Sequence, residues 1–227
     1  MQTLTQIPLF QDMDPAMAER YARSCFWKDY DEFELVIDVE DETTDVRFLL
    51  SGSVRILHRI AVGKEVILGE MNAGDFFGEI AAIDNEIRSA NATTLTRTRI
   101  CIMPQKIFME ILEQDHGVNC KVLKVLTRRI RFLNLRLAEH SFLQAKHRLY
   151  SELLRLSKQR PGHEGQRSIS PPPIQRELAD RIGSRREVVS RELNTLERDG
   201  VIKKTRGAII ILKVLELQNR LSIGWEQ

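Results

Sequence analysis

IQRELADRIGSRREVVSRELNTLER, residues 174–198, reads as two short amphipathic helices joined by a glycine turn. Three positions carry that geometry. Ala179 is small where two helices would cross closely, Gly183 can take the positive φ of a tight turn, and Val189, six residues on, is an apolar plug between the helices. The spacing predicts a helix ending at Gly183 and a second helix starting at a capping Ser184. The following stretch, GVIKKTRGAIIIL at residues 200–212, has the alternation of a two-stranded hairpin. Together they describe a winged helix-turn-helix.

On the second helix Arg186, Glu187, Ser190 and Arg191 fall within about 140° of arc at roughly 100° per residue, near the end that enters a DNA major groove. Arginine pairs with guanine O6 and N7, and glutamate accepts from cytosine N4, each good pair discriminating by about 1–3 kcal/mol. A glutamate among arginines is a poor choice for mere phosphate attraction, so the pattern favours base reading. Arg185, Gln175, Lys203, Lys204 and Arg206 suit phosphate contacts, which position without specifying. A solvated charged face on a protein-binding domain is the alternative.

Charge divides the chain in the same place. Residues 146–227 hold 17 basic and 10 acidic side chains, net +7, while residues 1–145 hold 17 and 22, net −5. The basic third suits a polyanion. The acidic remainder has another task. Within it, residues 14–25 begin with Asp14 as a cap and Pro15 at the first helical position, and predict a short helix. From Phe26 to Met103 come short β-branched runs at 35–37, 46–50, 54–57 and 66–68, separated by turns at Ser51-Gly52, Gly63-Lys64 and Ala73-Gly74-Asp75, which predict an antiparallel barrel or roll. Leu123, Leu126, Ile130, Leu133 and Leu137 then recur in steps of three and four, the seam of a parallel dimer helix, or of one amphipathic helix packed on its own domain. Residues 159–173 are rich in proline and glycine and read as a loop.

With 227 residues, two domains are expected; no uncharged apolar run reaches eighteen residues, so a soluble, cytoplasmic protein is expected. Cys25, Cys101 and Cys120 are far apart in sequence and read as reduced residues, with no metal spacing. Five scattered histidines and no nucleophile–base cluster argue against an enzyme.

Residues 182–191, IGSRREVVSR, are similar to the recognition segment of the Crp/Fnr family of regulators, and residues 63–79, GKEVILGEMNAGDFFGE, with LSGSV at 50–54, resemble that family's cyclic-nucleotide-binding roll. The resemblance runs along nearly the whole chain. It implies an α+β fold: a jelly-roll-like antiparallel β-roll over residues 1–116, a dimerisation helix over 117–145 and a winged helix-turn-helix over 146–227. It also implies a homodimer on a palindromic DNA operator, with Arg186, Glu187 and Arg191 in the family's base-reading positions and GTGA-like half-sites. RNA polymerase is the expected protein partner, through the loop Pro161 to Arg167.

For the ligand, the resemblance implies a cyclic nucleotide as allosteric effector, with no metal. Arg88 would meet the phosphate with Ser89, Gly78 would let the backbone approach, and the amides of Glu79, Ile80 and Ala81 would donate if they open a helix. Glu79 would accept from the ribose 2′-hydroxyl, Arg129 would stand near that carboxylate, and Ile56, Leu68 and Ile80 would form apolar walls. The chain departs from the family at Leu133 and Asn134, where a threonine-serine pair contacts adenine in the cyclic-AMP receptor. Asn134 can donate and accept, and Leu133 can do neither, which leaves cyclic AMP and cyclic GMP both open. Phe33 and Glu40 stand where turn glycines are common, and imply altered roll turns. The alternative is a regulator of the same fold that is ligand-independent or senses another ligand.

Overall fold

The computed structural model describes residues 3–60 and 64–226. The expected turn at Gly63 lies outside the described residues. The chain forms two compact units, residues 1–130 and 131–227, and the cut falls inside one long helix.

In the first unit, α1 (Pro15–Ala22) starts where expected: Asp14 accepts from the amides of Ala16 and Met17, both at 3.0 Å. The strands β1 (Phe26–Tyr30), β2 (Leu35–Ile37), β3 (Val46–Ser51), β4 (Ser53–Ile60), β5 (Lys64–Asn72), β6 (Phe76–Phe77), β7 (Asn91–Thr94) and β8 (Thr98–Met103) pair antiparallel into two sheets. Their orders are β1-β8-β3-β6 and β2-β7-β4-β5. This is the expected roll. A short helix α2 (Glu79–Asp84) is inserted between β6 and β7, and α3 (Gln105–Gln114) follows Pro104.

Strand β3 is buried on both faces, so its period of two feeds two cores. Val46 and Phe48 pack with Phe10 and Phe108 under the helices, Phe48 lying 5.0 Å from the Phe10 ring centroid. Leu49 packs between the sheets with Val54, Phe77 and Ile100. Arg47 lies on the Leu49 face, a cation on the inward side of an apolar strand. Phe33 takes φ 59°, so the expected altered turn is real there: a bulky residue holds a left-handed position that a glycine would hold without strain.

Helix α4 (His116–Phe142) has two apolar faces in its first half. Val118, Val122, Val125 and Leu126 pack on the roll core. Leu123, Ile130, Leu133 and Leu137 are each more than half exposed. The expected seam is therefore an open row, except for Leu126, which the roll already half covers.

In the second unit, α5 (Ala145–Leu156), α6 (Gln175–Ile182), α7 (Arg186–Arg198) and α8 (Val214–Trp225) pack around Leu149, Leu153, Leu178, Val189 and Leu193. The hairpin β11 (Ile202–Lys204) and β12 (Ile209–Ile211) forms as expected but is half of a four-stranded sheet. The expected loop at 159–173 corrects here: it contains β10 (Arg167–Ile169), which pairs with both β12 and β9 (Lys158–Gln159). The run Arg167-Ser-Ile169 is too short to show a period beside its glycines and prolines.

The C-terminal end of α4 is tied into this unit by charge. Arg136 bonds the carbonyl of Arg181 and the Glu152 carboxylate, and Arg148 bonds the carbonyl of Ile182 at 2.9 Å. Two arginines thus satisfy carbonyls that α6 leaves open at its C-terminus.

Candidate functional site: an anion pocket and a DNA-reading face

The turn from β6 into α2 creates the first site. Gly78 caps α2 with φ 84°, and a Cβ there would lie 2.9 Å from both Arg88 Nη1 and the Asp45 carbonyl oxygen. Only glycine fits. The first amides of α2 have no partners within the helix and are free to donate. Behind them Glu79, 3% exposed, receives a hydrogen bond from Arg129 Nη1 at 2.5 Å. Arg129 also donates to the Phe76 carbonyl at 2.6 Å and stacks over the Phe76 ring. The expected proximity of Glu79 and Arg129 is present, and the carboxylate's first partner is this guanidinium.

Arg88, in the loop after α2, is 2% exposed. Its Nη1 donates to the Gly78 carbonyl at 3.1 Å. Its Nε and Nη2 donate to Thr43 Oγ1 at 3.1 and 3.0 Å, and Nη2 also reaches the Asp45 carbonyl at 3.0 Å. The Asp45 carboxylate faces it, Oδ1 lying 3.2 Å from Nη2. The other carboxylate oxygen, Oδ2, accepts from Arg47 Nε at 2.7 Å, and Arg47, 7% exposed, donates onward to the Val36 carbonyl. Burial lowers the Arg88 pKa from its ordinary value, and Asp45 opposes that shift. Two buried guanidiniums share the Asp45 carboxylate, and the charges of Asp41 and Glu79 also act on Arg88 without bonding it.

Thr43, Asp45 and Arg47 were not foreseen from sequence. The available signal was Arg47 itself, a cation inside VRFLL next to an acidic stretch. Of the other expected residues, Ala81 is buried, Ile56 is half buried, and Ile80 and Ser89 are exposed. Leu68 is the extra residue of a bulge, since Ile56 pairs with Gly69 and Leu57 with Ile67. Leu133 and Asn134 lie on α4 in the second unit, both exposed.

The second site is the helix-turn-helix. Ala179 and Val189 are buried, and Gly183 ends α6 in the left-handed region with φ 58°. A Cβ on Gly183 would lie 2.9 Å from the His140 ring, which adds a steric reason for glycine. The expected cap corrects by one residue: Arg185 precedes α7, with no side-chain cap, and Ser184 is not the N-cap. Arg185, Arg186, Glu187 and Arg191 are exposed on α7 and its start, Ser190 is half exposed beside them, and Gln175 opens α6. Lys203 and Arg206 stand exposed on the wing, where Thr205 and Ala208 close the turn. Lys204 corrects the expectation of a free phosphate contact, because its ammonium bonds Asn194 at 2.6 Å and Glu197 at 2.9 Å.

Among the described residues no group of His, Cys, Asp and Glu could hold a metal ion, and no helix is long and apolar enough to cross a membrane. Residues 27–115 match the cyclic nucleotide-binding domain, and residues 147–220 match the Crp-like helix-turn-helix domain. A CRP-like cAMP-activated global transcriptional regulator of Mycobacterium tuberculosis is 26% identical over 92% of this chain and 93% of its own length. The cAMP-activated global transcriptional regulator Vfr of Pseudomonas aeruginosa is 25% identical over 89% of this chain and 94% of its own. A solved structure of a CooA mutant from Carboxydothermus hydrogenoformans shares the fold, with a TM-score of 0.76 at 19% identity over 88% of this chain and 89% of that one. Roll, helix and winged domain follow in the order that these matches require. The chain belongs to the Crp/Fnr family of transcription regulators, which bind DNA and are not enzymes, and it carries that family's cyclic nucleotide-binding domain.

Proposed function

We propose that the protein is a homodimeric regulator whose affinity for a palindromic operator is set by a cyclic nucleotide, cyclic AMP or cyclic GMP. The observation that carries this reading is the Arg88 cluster: a guanidinium 2% exposed, beside a glycine with no room for a Cβ, sharing the Asp45 carboxylate with a second buried guanidinium. A cyclic nucleotide brings one phosphodiester charge, which Arg88, Ser89 and the first amides of α2 would hold. Glu79 and Arg129 would face the ribose, and Ile56, Leu68 and Ile80 would wall the base. The relatives named for activation by cAMP support cyclic AMP first.

The open row of Leu123, Ile130, Leu133 and Leu137 is the dimer seam, each side chain stabilising the dimer by about 1.5–3 kcal/mol when fully covered. Two-fold symmetry then sets two recognition helices at half-site spacing, with Arg186, Glu187 and Arg191 on GTGA-like bases. Arg185, Gln175, Lys203 and Arg206 hold phosphates. The ligand acts by favouring the DNA-competent arrangement of α4, so it must bind that state more tightly. RNA polymerase is the downstream partner and the cytoplasm the place of action. Isothermal titration with both cyclic nucleotides, alongside operator binding with and without each, tests this reading.

A second reading has its own observation. Every nitrogen of Arg88 already has a protein acceptor in Thr43, Gly78 or Asp45. That suits a regulator that is ligand-independent or senses another molecule, and it would show operator binding unaffected by either nucleotide.

A further inference from the structure

We infer that Asp45 sets the charge selectivity of the Arg88 pocket, so that it takes a phosphodiester monoanion in preference to a phosphomonoester dianion. This rests on reading the pocket as the nucleotide-phosphate site. Asp45 presents one carboxylate oxygen to Arg88 at 3.2 Å while the other is held by Arg47 Nε at 2.7 Å. An anion that takes over Arg88 leaves Asp45 paired, because Arg47 keeps its half of the carboxylate. The negative charge therefore stays beside the incoming phosphate and repels it.

That repulsion scales with the charge of the newcomer. Asp45 is the carboxylate bonded to both Arg88 and Arg47, while Asp41 and Glu79 act on Arg88 without bonding it and stay the same in every variant, so a doubly charged monoester meets about twice the Asp45 repulsion that a diester meets. The two buried guanidiniums would accept the dianion readily without Asp45. Glu79 adds no comparable bias, since its carboxylate is matched by Arg129 at 2.5 Å. A carboxylate that only held Arg88 in place would change the affinity of both ligand types by one common factor.

The test is Asp45→Asn in the full chain, titrated at pH 8 with 3′,5′-cyclic AMP and with 5′-AMP, whose monoester, with a second pKa of about 6, is then a dianion. Weak binding of 5′-AMP is read by displacement of cyclic AMP. Removing the charge is expected to tighten cyclic AMP about 10-fold and 5′-AMP about 100-fold, moving the ratio of affinities about 10-fold toward the monoester. The shape difference between the two nucleotides cancels between variant and wild type. Thr43→Val, which removes a neutral acceptor of Arg88, is expected to leave the ratio unchanged. Arg47→Gln, which removes a cation, is expected to move it toward the diester, and serves if Asp45→Asn does not fold. An unchanged ratio in Asp45→Asn, with cyclic AMP still bound, overturns the role of Asp45 and leaves the pocket reading standing. Failure of the folded wild type and every folded variant to bind either nucleotide overturns the pocket reading and this inference with it.

Discussion

Replacing Gly78 by alanine tests the geometry of the candidate anion pocket more sharply than removing any charge. The backbone sits at φ 84°, a left-handed position that costs an L-residue about 1–2 kcal/mol. The added methyl would lie 2.9 Å from Arg88 Nη1 and 2.9 Å from the Asp45 carbonyl oxygen. Arg88 could move only by giving up its bonds to Gly78, Thr43 and Asp45, and the Asp45 contact is backbone. With the overlap added to the strain, the first unit should lose about 2–4 kcal/mol, seen as a lower urea midpoint. Gly69 supplies the control. It lies in β5 with negative φ, and a Cβ there would meet nothing within 4 Å, so Gly69→Ala should match or slightly exceed wild type. Equal midpoints for Gly78→Ala and Gly69→Ala would refute the tight approach of backbone and guanidinium.

Arg186→Ala and Arg191→Ala should each cost about 1–3 kcal/mol of operator affinity and relax preference at one base pair, while Arg206→Ala should weaken all sequences alike and flatten the salt dependence; fluorescence anisotropy on operator variants separates the two. Ile130→Asp or Leu133→Asp should convert dimer to monomer in sedimentation equilibrium, because each places a charge in the open apolar row. His147 is 4% exposed, with Nδ1 unpartnered, and burial, followed by Lys146, holds its pKa below the ordinary 6.5. The unfolded chain therefore binds its proton first. The contribution of neutral His147 is complete above about pH 6.5 and is lost as pH falls from there toward the lowered folded value, and a series of melts of His147→Phe should show a smaller loss than wild type.

The winged domain was legible because its constraints are local: Ala179, Gly183 and Val189 fall within eleven residues and each answers a steric demand of the same turn. The roll was legible in outline, from β-branched runs and turns. Its edge strand β6 was not, being a pair of phenylalanines, and in the second unit β10 was missed because it is three residues beside prolines. Helix α4 showed its row of apolar positions plainly, but the sequence period alone could not say that Leu126 belongs half to the roll. The candidate pocket was half visible. Gly78, Glu79 and Arg88 stand close in sequence, whereas Thr43, Asp45 and Arg47 reach Arg88 only through the pairing of β3 with β6, more than forty residues away. Contacts made by sheet register carry no local signature. Helix α8 went unread for a different reason: its burial against α5 depends on Gly224, where a Cβ would lie 2.5 Å from the His147 ring, and a lone glycine near a chain end signals nothing by itself.

The most direct measurement is the operator affinity of the wild-type protein, by anisotropy at fixed salt, with and without saturating cyclic AMP and cyclic GMP, repeated with Arg88→Gln. One of the two nucleotides is expected to raise wild-type affinity by about 5–150-fold and to leave Arg88→Gln unchanged. Equal wild-type affinity in all three conditions, or an undiminished response in Arg88→Gln, would contradict a switch worked by a phosphodiester on the buried guanidinium.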